Sequence, residues 1–257
     1  LDDVPVPVGR IQYLRLYPMT FHEYLLAIGN EVAADLAAQH PSDVDQGSQR
    51  QLLQQLKTYF FVGGMPECVK VYRDTGSLVE AMKVQTEIID SYRDDFAKYA
   101  PRFDRSCLDT VLLNVSRQVG DQIKYSRLDE SHSSSTNRRA LDLLCRACVA
   151  HRIPATNPSG LPLGAGANEK RFKVAMLDIG LLQKLCQLTV DRELGEEDLL
   201  AIYRGRLAEQ YVAQELIANH TAELFYWARQ ARGSNAEVDY LAIRDGRIVP
   251  IEVKSGP

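Results

Sequence analysis

The feature that most constrains the fold is a hairpin pattern near the C-terminus, "EVDYLAIRDGRIVPIEVKSG". Two runs rich in β-branched and other apolar residues flank Asp245 and Gly246. An Asp-Gly pair between such runs predicts a two-residue turn, because both turn residues must take positive φ. A turn at these positions places Arg244 opposite Arg247, and the same register places Asp239 opposite Glu252.

The opposed carboxylates of Asp239 and Glu252 predict a nearby cation. Directly opposed side chains lie about 5 Å apart, where like charges repel unless they are neutralised. Lys254 shares a face with Glu252, and its own partner would be Glu237. A plainer alternative is a solvated face on which Glu237 and Lys254 form an ordinary ion pair. The other face is apolar and is predicted to be buried: Val238, Tyr240, Ala242, Val249, Ile251 and Val253.

Length and composition favour several domains of a larger, cytoplasmic protein. The 257 residues exceed one typical domain, and the chain begins at Leu1 rather than Met, which indicates a fragment. An apolar stretch of about 18 residues and a signal peptide are both absent, so we expect no membrane contact. The five cysteines are scattered and odd in number, which is typical of a reduced compartment.

Helical and strand patterns divide the chain into three parts. Residues 1–103 read as a helical region whose first helix has a capping box at Thr20 and Glu23. Residues 104–176 and 177–257 mix helices with strands. We therefore expect a multidomain α/β (α+β) protein.

The middle part, residues 104–176, has the element order of a winged helix-turn-helix. Helices are predicted at about 105–119, at about 126–130 and after the Ser-rich stretch, and the strands "RIPAT" and "KRFKVAM" follow. This part carries more Lys and Arg than Asp and Glu, which is weak support for an anionic partner such as DNA. Winged helices also serve as protein-binding modules, and that alternative stays open. The predicted phosphate contacts are Arg138, Arg139, Lys170, Arg171 and Lys173.

The last part supplies a third acidic residue. A long amphipathic helix, "LLAIYRGRLAEQYVAQELIANH", carries Glu209 and is followed by the strand "ELFYWARQ" and the hairpin. This helix and the three strands, with acids on the helix and on the hairpin, resemble the PD-(D/E)xK nuclease-like fold, a restriction-endonuclease-like α/β domain. The resemblance implies Mg²⁺ held by Glu209, Asp239 and Glu252, a metal-activated water, and catalytic assistance from Lys254. The proline that often precedes the family's aspartate is absent here.

The whole chain has a further resemblance, carried by six motifs in order: "GRIQYLRLYPMTFHEYL", "GGMPE", "YSRLDE…STNRRALDLL", "LDIGLL", "GRLAEQYVAQEL" and "EVDYL…IVPIEVKSG". Together they resemble the C-terminal region of prokaryotic AAA-type ATPases with an uncharacterised nuclease-like C-terminal domain. The resemblance implies that residues 1–103 contain the end of the ATPase module and that 177–257 are a truncated nuclease-like domain. It also implies that the ATPase module is a partner of this chain.

Two other sites are disfavoured. A G-x-x-x-x-G-K-[ST] motif is absent, so we expect ATP to bind only in the preceding module. Cys145, Cys148 and His151 lie on one predicted helix without a fourth ligand, which disfavours zinc.

The leading hypothesis is a DNA-associated region with a Mg²⁺-dependent nuclease site. The alternative is a non-catalytic DNA- or protein-binding regulatory module of the ATPase.

Overall fold

A computed structural model describes residues 14–99, 103–187, 201–219, 223–229 and 236–255. Within these ranges the chain is a mixed α/β protein with nine α-helices and five β-strands. The helices are α1 (Phe21–Ala27), α2 (Glu31–Ala37), α3 (Gln46–Val62), α4 (Pro66–Thr75), α5 (Leu78–Tyr99), α6 (Arg105–Arg117), α7 (Ser134–Arg146), α8 (Ile179–Leu185) and α9 (Ala201–Asn219).

The five strands form one mixed sheet in the order β2-β1-β3-β4-β5. Neighbouring strands are antiparallel except β1 and β3, which are parallel and pair at Ala155 and Tyr226. The strands are β1 (Ala150–Thr156), β2 (Ala167–Met176), β3 (Phe225–Ala228), β4 (Glu237–Arg244) and β5 (Arg247–Ile251). The sheet therefore crosses the predicted boundary between residues 176 and 177.

Capping side chains and glycines determine where helices of the first part begin and end. The capping box is present: the Glu23 amide donates to Thr20 Oγ1, and Glu23 accepts from the Thr20 amide. α3 ends at Val62, and the next residue, Gly63, has a φ of 72° that is easily reached without a Cβ. Gly64 then packs against the backbone of Met19, where a Cβ would collide. The paired glycines thus form a sharp turn between α3 and α4.

One large hydrophobic core joins all three parts of the chain. It runs from Phe21 in α1 to Leu207 in α9 and includes the β2 side chains Phe172, Val174 and Met176. A smaller cluster on the other face of the sheet packs against α9, and it includes Ile153, Ala155, Ala175, Tyr226 and Tyr240. Alternate residues of β2 face opposite sides, so Lys173 and Ala175 point toward α9. This alternation decides where the charge of Lys173 lies.

The segment between α6 and α7 is less regular than predicted. The helix expected at 126–130 is only a 3₁₀ turn at Tyr125–Arg127, and "QIKYS" contributes a single bridge from Ile123 to Phe172. The buried Asn137 amide donates to the carbonyls of Tyr125 and Asp129, both at 2.8 Å. Those carbonyls are therefore satisfied by a side chain, and a helical turn is not needed.

The hairpin has the predicted register. Arg244 pairs with Arg247 and Tyr240 pairs with Ile251. Asp245 and Gly246 have φ values of 50° and 70°, as a two-residue turn requires. The acidic stretch at residues 191–198 and the start of the motif "GRIQYLRLYPMTFHEYL" lie outside the described residues. No helix in the described ranges is both long and apolar enough to cross a membrane.

Candidate functional site

A β-bulge in β4 determines the geometry of the site. Phe225 pairs with Leu241, but Trp227 pairs with Val238, so β4 has one more residue than β3 between these pairs. Asp239 and the following tyrosine are the two residues on the bulged strand. A bulge turns both side chains toward one face, and here that face is the one covered by α9.

The bulge changes one prediction about the faces of the hairpin. A regular strand would place Asp239 and Tyr240 on opposite faces, but Tyr240 packs against α9 and its hydroxyl donates to the Glu209 carbonyl at 3.0 Å. Val238 packs with Leu241 on the other face. The prediction that Val238 shares a face with Tyr240 was therefore wrong, because the extra residue in β4 reverses the alternation of side chains. Val249, also predicted to be buried, is 36% exposed.

Lys173 lies at the centre of the acidic residues. Its ammonium donates to Glu209 Oε2 at 3.0 Å, forms an ion pair with Glu237, and lies 3.8 Å from Asp239 Oδ1. Only 4% of the Lys173 side chain is exposed. The ammonium also lies 5.5 Å from the centre of the Tyr226 ring. Two partly buried carboxylates, Glu209 from a helix and Asp239 from a strand, thus share one cation.

The charges at this site do not balance. Glu209, Glu237 and Asp239 carry three negative charges around the single ammonium of Lys173. Burial lowers the pKa of Lys173, but Glu209 and Glu237 outweigh it, so this pKa is raised. Burial raises the pKa of Glu209, and the nearby Asp239 and Glu237 raise it further, against the opposing effect of Lys173. The effect of the neighbouring carboxylates on both pKa values is the one expected where acidic groups outnumber the cation.

Side-chain amides on α9 fix the helix that carries Glu209. Gln210 accepts from the Met176 amide and donates to the Met176 carbonyl, both at 2.8 Å. One turn later, Gln214 accepts from the Ile179 amide. Both glutamines are buried. The end of β2 and the start of α8 are thus anchored to α9, which holds Glu209 beside Lys173.

Glu252 and Lys254 do not join this group. β5 ends at Ile251, and the Lys254 ammonium lies 2.6 Å from Glu252 Oε1 with both side chains at least half exposed. The Val253 amide donates to Asp239 Oδ2 at 2.8 Å, so one oxygen of Asp239 binds the backbone just after β5. The Glu237–Lys254 ion pair of the plainer interpretation is not formed, because Glu237 is held by Lys173 and Lys254 by Glu252.

The donor chemistry at the site fits a hard divalent cation. Carboxylate oxygens are the ligands that Mg²⁺ takes from proteins, and Glu209 and Asp239 already contact a common cation. The third predicted ligand, Glu252, is turned toward Lys254. Of the three predicted metal ligands, the structure brings two together.

The predicted DNA contacts divide into outward and inward residues. Arg138, Arg139 and Lys170 are exposed, and Arg139 stacks on Phe103 with its guanidinium 5.6 Å from the ring centre. Arg171 is partly exposed and donates to Gln122. Lys173 differs, since its ammonium is buried among carboxylates and does not face an external phosphate.

A second cluster was missed from the sequence. In the part of the chain that the structure describes, Cys107, Asp129 and His132 form the one group of three metal-ligand residue types whose ligand atoms all lie within 4.8 Å of one another. His132 bridges Asp129 Oδ2 at 2.9 Å and Asp104 Oδ2 at 3.2 Å. Asp104 caps α6, and α7 starts just after His132. These hydrogen bonds therefore join two helix starts, and the Asp129-x-x-His132 spacing was the available signal.

Sequence profiles of two domain families match the chain. One, a domain of unknown function (DUF8612), matches residues 53–192, which is more than half of the chain. Another, a domain of unknown function (DUF4143), matches residues 204–257. No curated protein and no solved structure matches. Lys173 thus lies in the first match, and the three carboxylates that surround it lie in the second. The chain belongs to the DUF8612 family, and its last residues carry the DUF4143 match.

Proposed function

We propose that this chain is the C-terminal part of a P-loop AAA-type ATPase, and that it acts on DNA through a nuclease-like site. The DUF4143 match supports the first statement, because that domain is typically found in AAA-ATPase-associated proteins. The six ordered motifs support it independently. In this proposal, residues 204–257 form a PD-(D/E)xK-like region downstream of the ATPase module.

The middle part of the chain would contact the DNA. Its order of α6, 3₁₀ turn, α7 and the hairpin β1–β2 resembles that of a winged helix in which a 3₁₀ turn replaces the second helix, and the single Ile123–Phe172 bridge lies beside β2. Arg138 and Arg139 are exposed in the first half of α7, where a recognition helix contacts DNA. This arrangement supports phosphate contacts from α7.

The observation that carries the proposal is the shared cation of Glu209 and Asp239. Mg²⁺ would be held by these two carboxylates and by Glu252, and when bound it would supply an activated water and polarise a phosphodiester. Glu209 is positioned by the buried glutamines of α9, and Asp239 by the bulge. Lys254, two residues after Glu252, would supply positive charge to the developing negative charge on the phosphate.

Cleavage of plasmid and single-stranded DNA with Mg²⁺ tests this proposal. Asp239→Asn should reduce cleavage by roughly 100-fold, because one group that stabilises the transition state through the ion is removed. Asp74→Asn is the matched control, since Asp74 is half exposed in a surface ion pair on α4 and should leave cleavage unchanged. Equal cleavage by wild type and Asp239→Asn would rule the proposal out.

A second candidate is a non-catalytic regulatory module, favoured by the position of Lys173. A protein ammonium lies where the carboxylates converge, and Glu252 is engaged elsewhere. This candidate predicts that no form of the chain cleaves DNA with Mg²⁺. DNA binding would then be the remaining activity, and replacement of both Arg138 and Arg139 by alanine should weaken it and reduce its salt dependence.

A further inference from the structure

The cation at the acidic site comes from a different segment than its carboxylates. Lys173 lies on β2, within the residues that match DUF8612, whereas Glu209, Glu237 and Asp239 lie within those that match DUF4143. The ammonium contacts all three carboxylates from a side chain that is almost fully buried. The contact therefore links the proposed DNA-contacting hairpin directly to the proposed catalytic region.

The number of charges distinguishes this contact from a balanced structural ion pair. One ammonium faces three carboxylates, and Lys254, which also lies near Asp239, is paired with Glu252. Replacement of the ammonium by a divalent ion would improve the balance of charge. Simultaneous binding of both cations is disfavoured, because like charges a few ångströms apart at a partly buried site repel strongly.

We propose that Lys173 is a resident cation that competes with the divalent ion for Glu209 and Asp239. The inference rests on the proposed function, since it assumes that these carboxylates bind a metal. Metal binding then requires the ammonium to leave the site, and any movement of β1–β2 that withdraws Lys173 favours metal binding.

The test is a calorimetric titration with Mn²⁺ in the absence of DNA. Lys173→Met keeps a long side chain without the charge and should bind Mn²⁺ about tenfold more tightly than wild type, or better, because the competing charge is gone. Lys173→Arg keeps a cation at the site and should retain the weak binding of wild type. Lys83→Met is the matched control, because Lys83 is an exposed lysine paired with Glu80 on α5.

A thermal unfolding series covers the case in which Lys173→Met folds poorly. Without metal, three unneutralised carboxylates should lower the melting temperature of this variant, and Mn²⁺ should raise it by more than it raises that of wild type. Equal Mn²⁺ affinity in wild type and Lys173→Met, or weaker binding in the variant, overturns the competition while the proposed function stands. Absence of Mn²⁺ binding in every variant overturns both proposals.

Discussion

At the scale of single residues, burial raises the pKa of two carboxyl groups outside the acidic site. Glu215 on α9 accepts from the Phe21 amide at 2.8 Å, and burial raises its pKa to about 7. Burial likewise raises the pKa of Asp178 to about 6, although the amides of Gly64 and Leu181 donate to it. Both groups hold their proton more tightly in the folded state than in the unfolded state.

These shifts predict a loss of stability as pH rises. A raised carboxyl pKa contributes stability that is present below the unfolded pKa and is lost as pH rises through the folded pKa. For Glu215 this window runs from about 4.5 to about 7. Glu215→Gln keeps the acceptor for Phe21 and removes the titration. We expect it to match wild type near the lower end of the window and to be about 2 kcal/mol more stable at pH 8.

Urea denaturation at pH 5 and pH 8 measures this difference. Glu67→Gln is the control, because Glu67 is a half-exposed residue in a surface ion pair on α4 and should show no such divergence. A difference between Glu215→Gln and wild type that stays constant or narrows between the two pH values would contradict the prediction.

At the scale of elements, α9 is the structural support of the site. Its buried Gln210 satisfies both backbone groups of Met176 at the end of β2. Gln214 connects the helix to the first amide of α8 and to the Tyr59 hydroxyl. The position of Glu209 relative to Lys173 therefore depends on hydrogen bonds rather than on apolar packing alone.

Loss of the Gln210 amide should destabilise the protein. Gln210→Met preserves approximate volume but leaves the Met176 N–H and C=O buried without partners, which should cost about 3 kcal/mol of unfolding free energy. Chemical denaturation gives the value. Gln51→Met is the control, since Gln51 is exposed on α3 and should change stability by less than about 0.5 kcal/mol. Similar stabilities of the two variants would show that α9 is held by other contacts.

The same scale explains which parts of the site the sequence could predict. The hairpin register was predictable because Asp245 and Gly246 determine it locally. The bulge was not predictable, because the extra residue in β4 can be recognised only when the pairing of β4 with β3 is known. The role of Lys173 was missed for a related reason. The alternation of side chains along β2 predicts which face Lys173 lies on. It does not predict that α9 and β4 lie close to that face, because their positions depend on tertiary packing.

At the scale of the whole molecule, the acidic site is formed by residues from both family matches, which the sheet brings together. β1 and β2 come from the DUF8612 match and β3 to β5 from the DUF4143 match, and the single parallel pair at Ala155 and Tyr226 joins them. The carboxylates thus receive their cation only when the whole sheet is assembled. The sequence predicted the order of elements well, but its division at residue 176 did not anticipate a shared sheet.

The most direct measurement of the central claim is a crystal structure of Lys173→Met grown with Mn²⁺, with the anomalous signal of the metal recorded. The account predicts a peak bonded to the carboxylates of Glu209 and Asp239, at the place that the Lys173 ammonium takes in the wild-type chain. A map without a peak there, although the bulge and both carboxylates keep their positions, would contradict it.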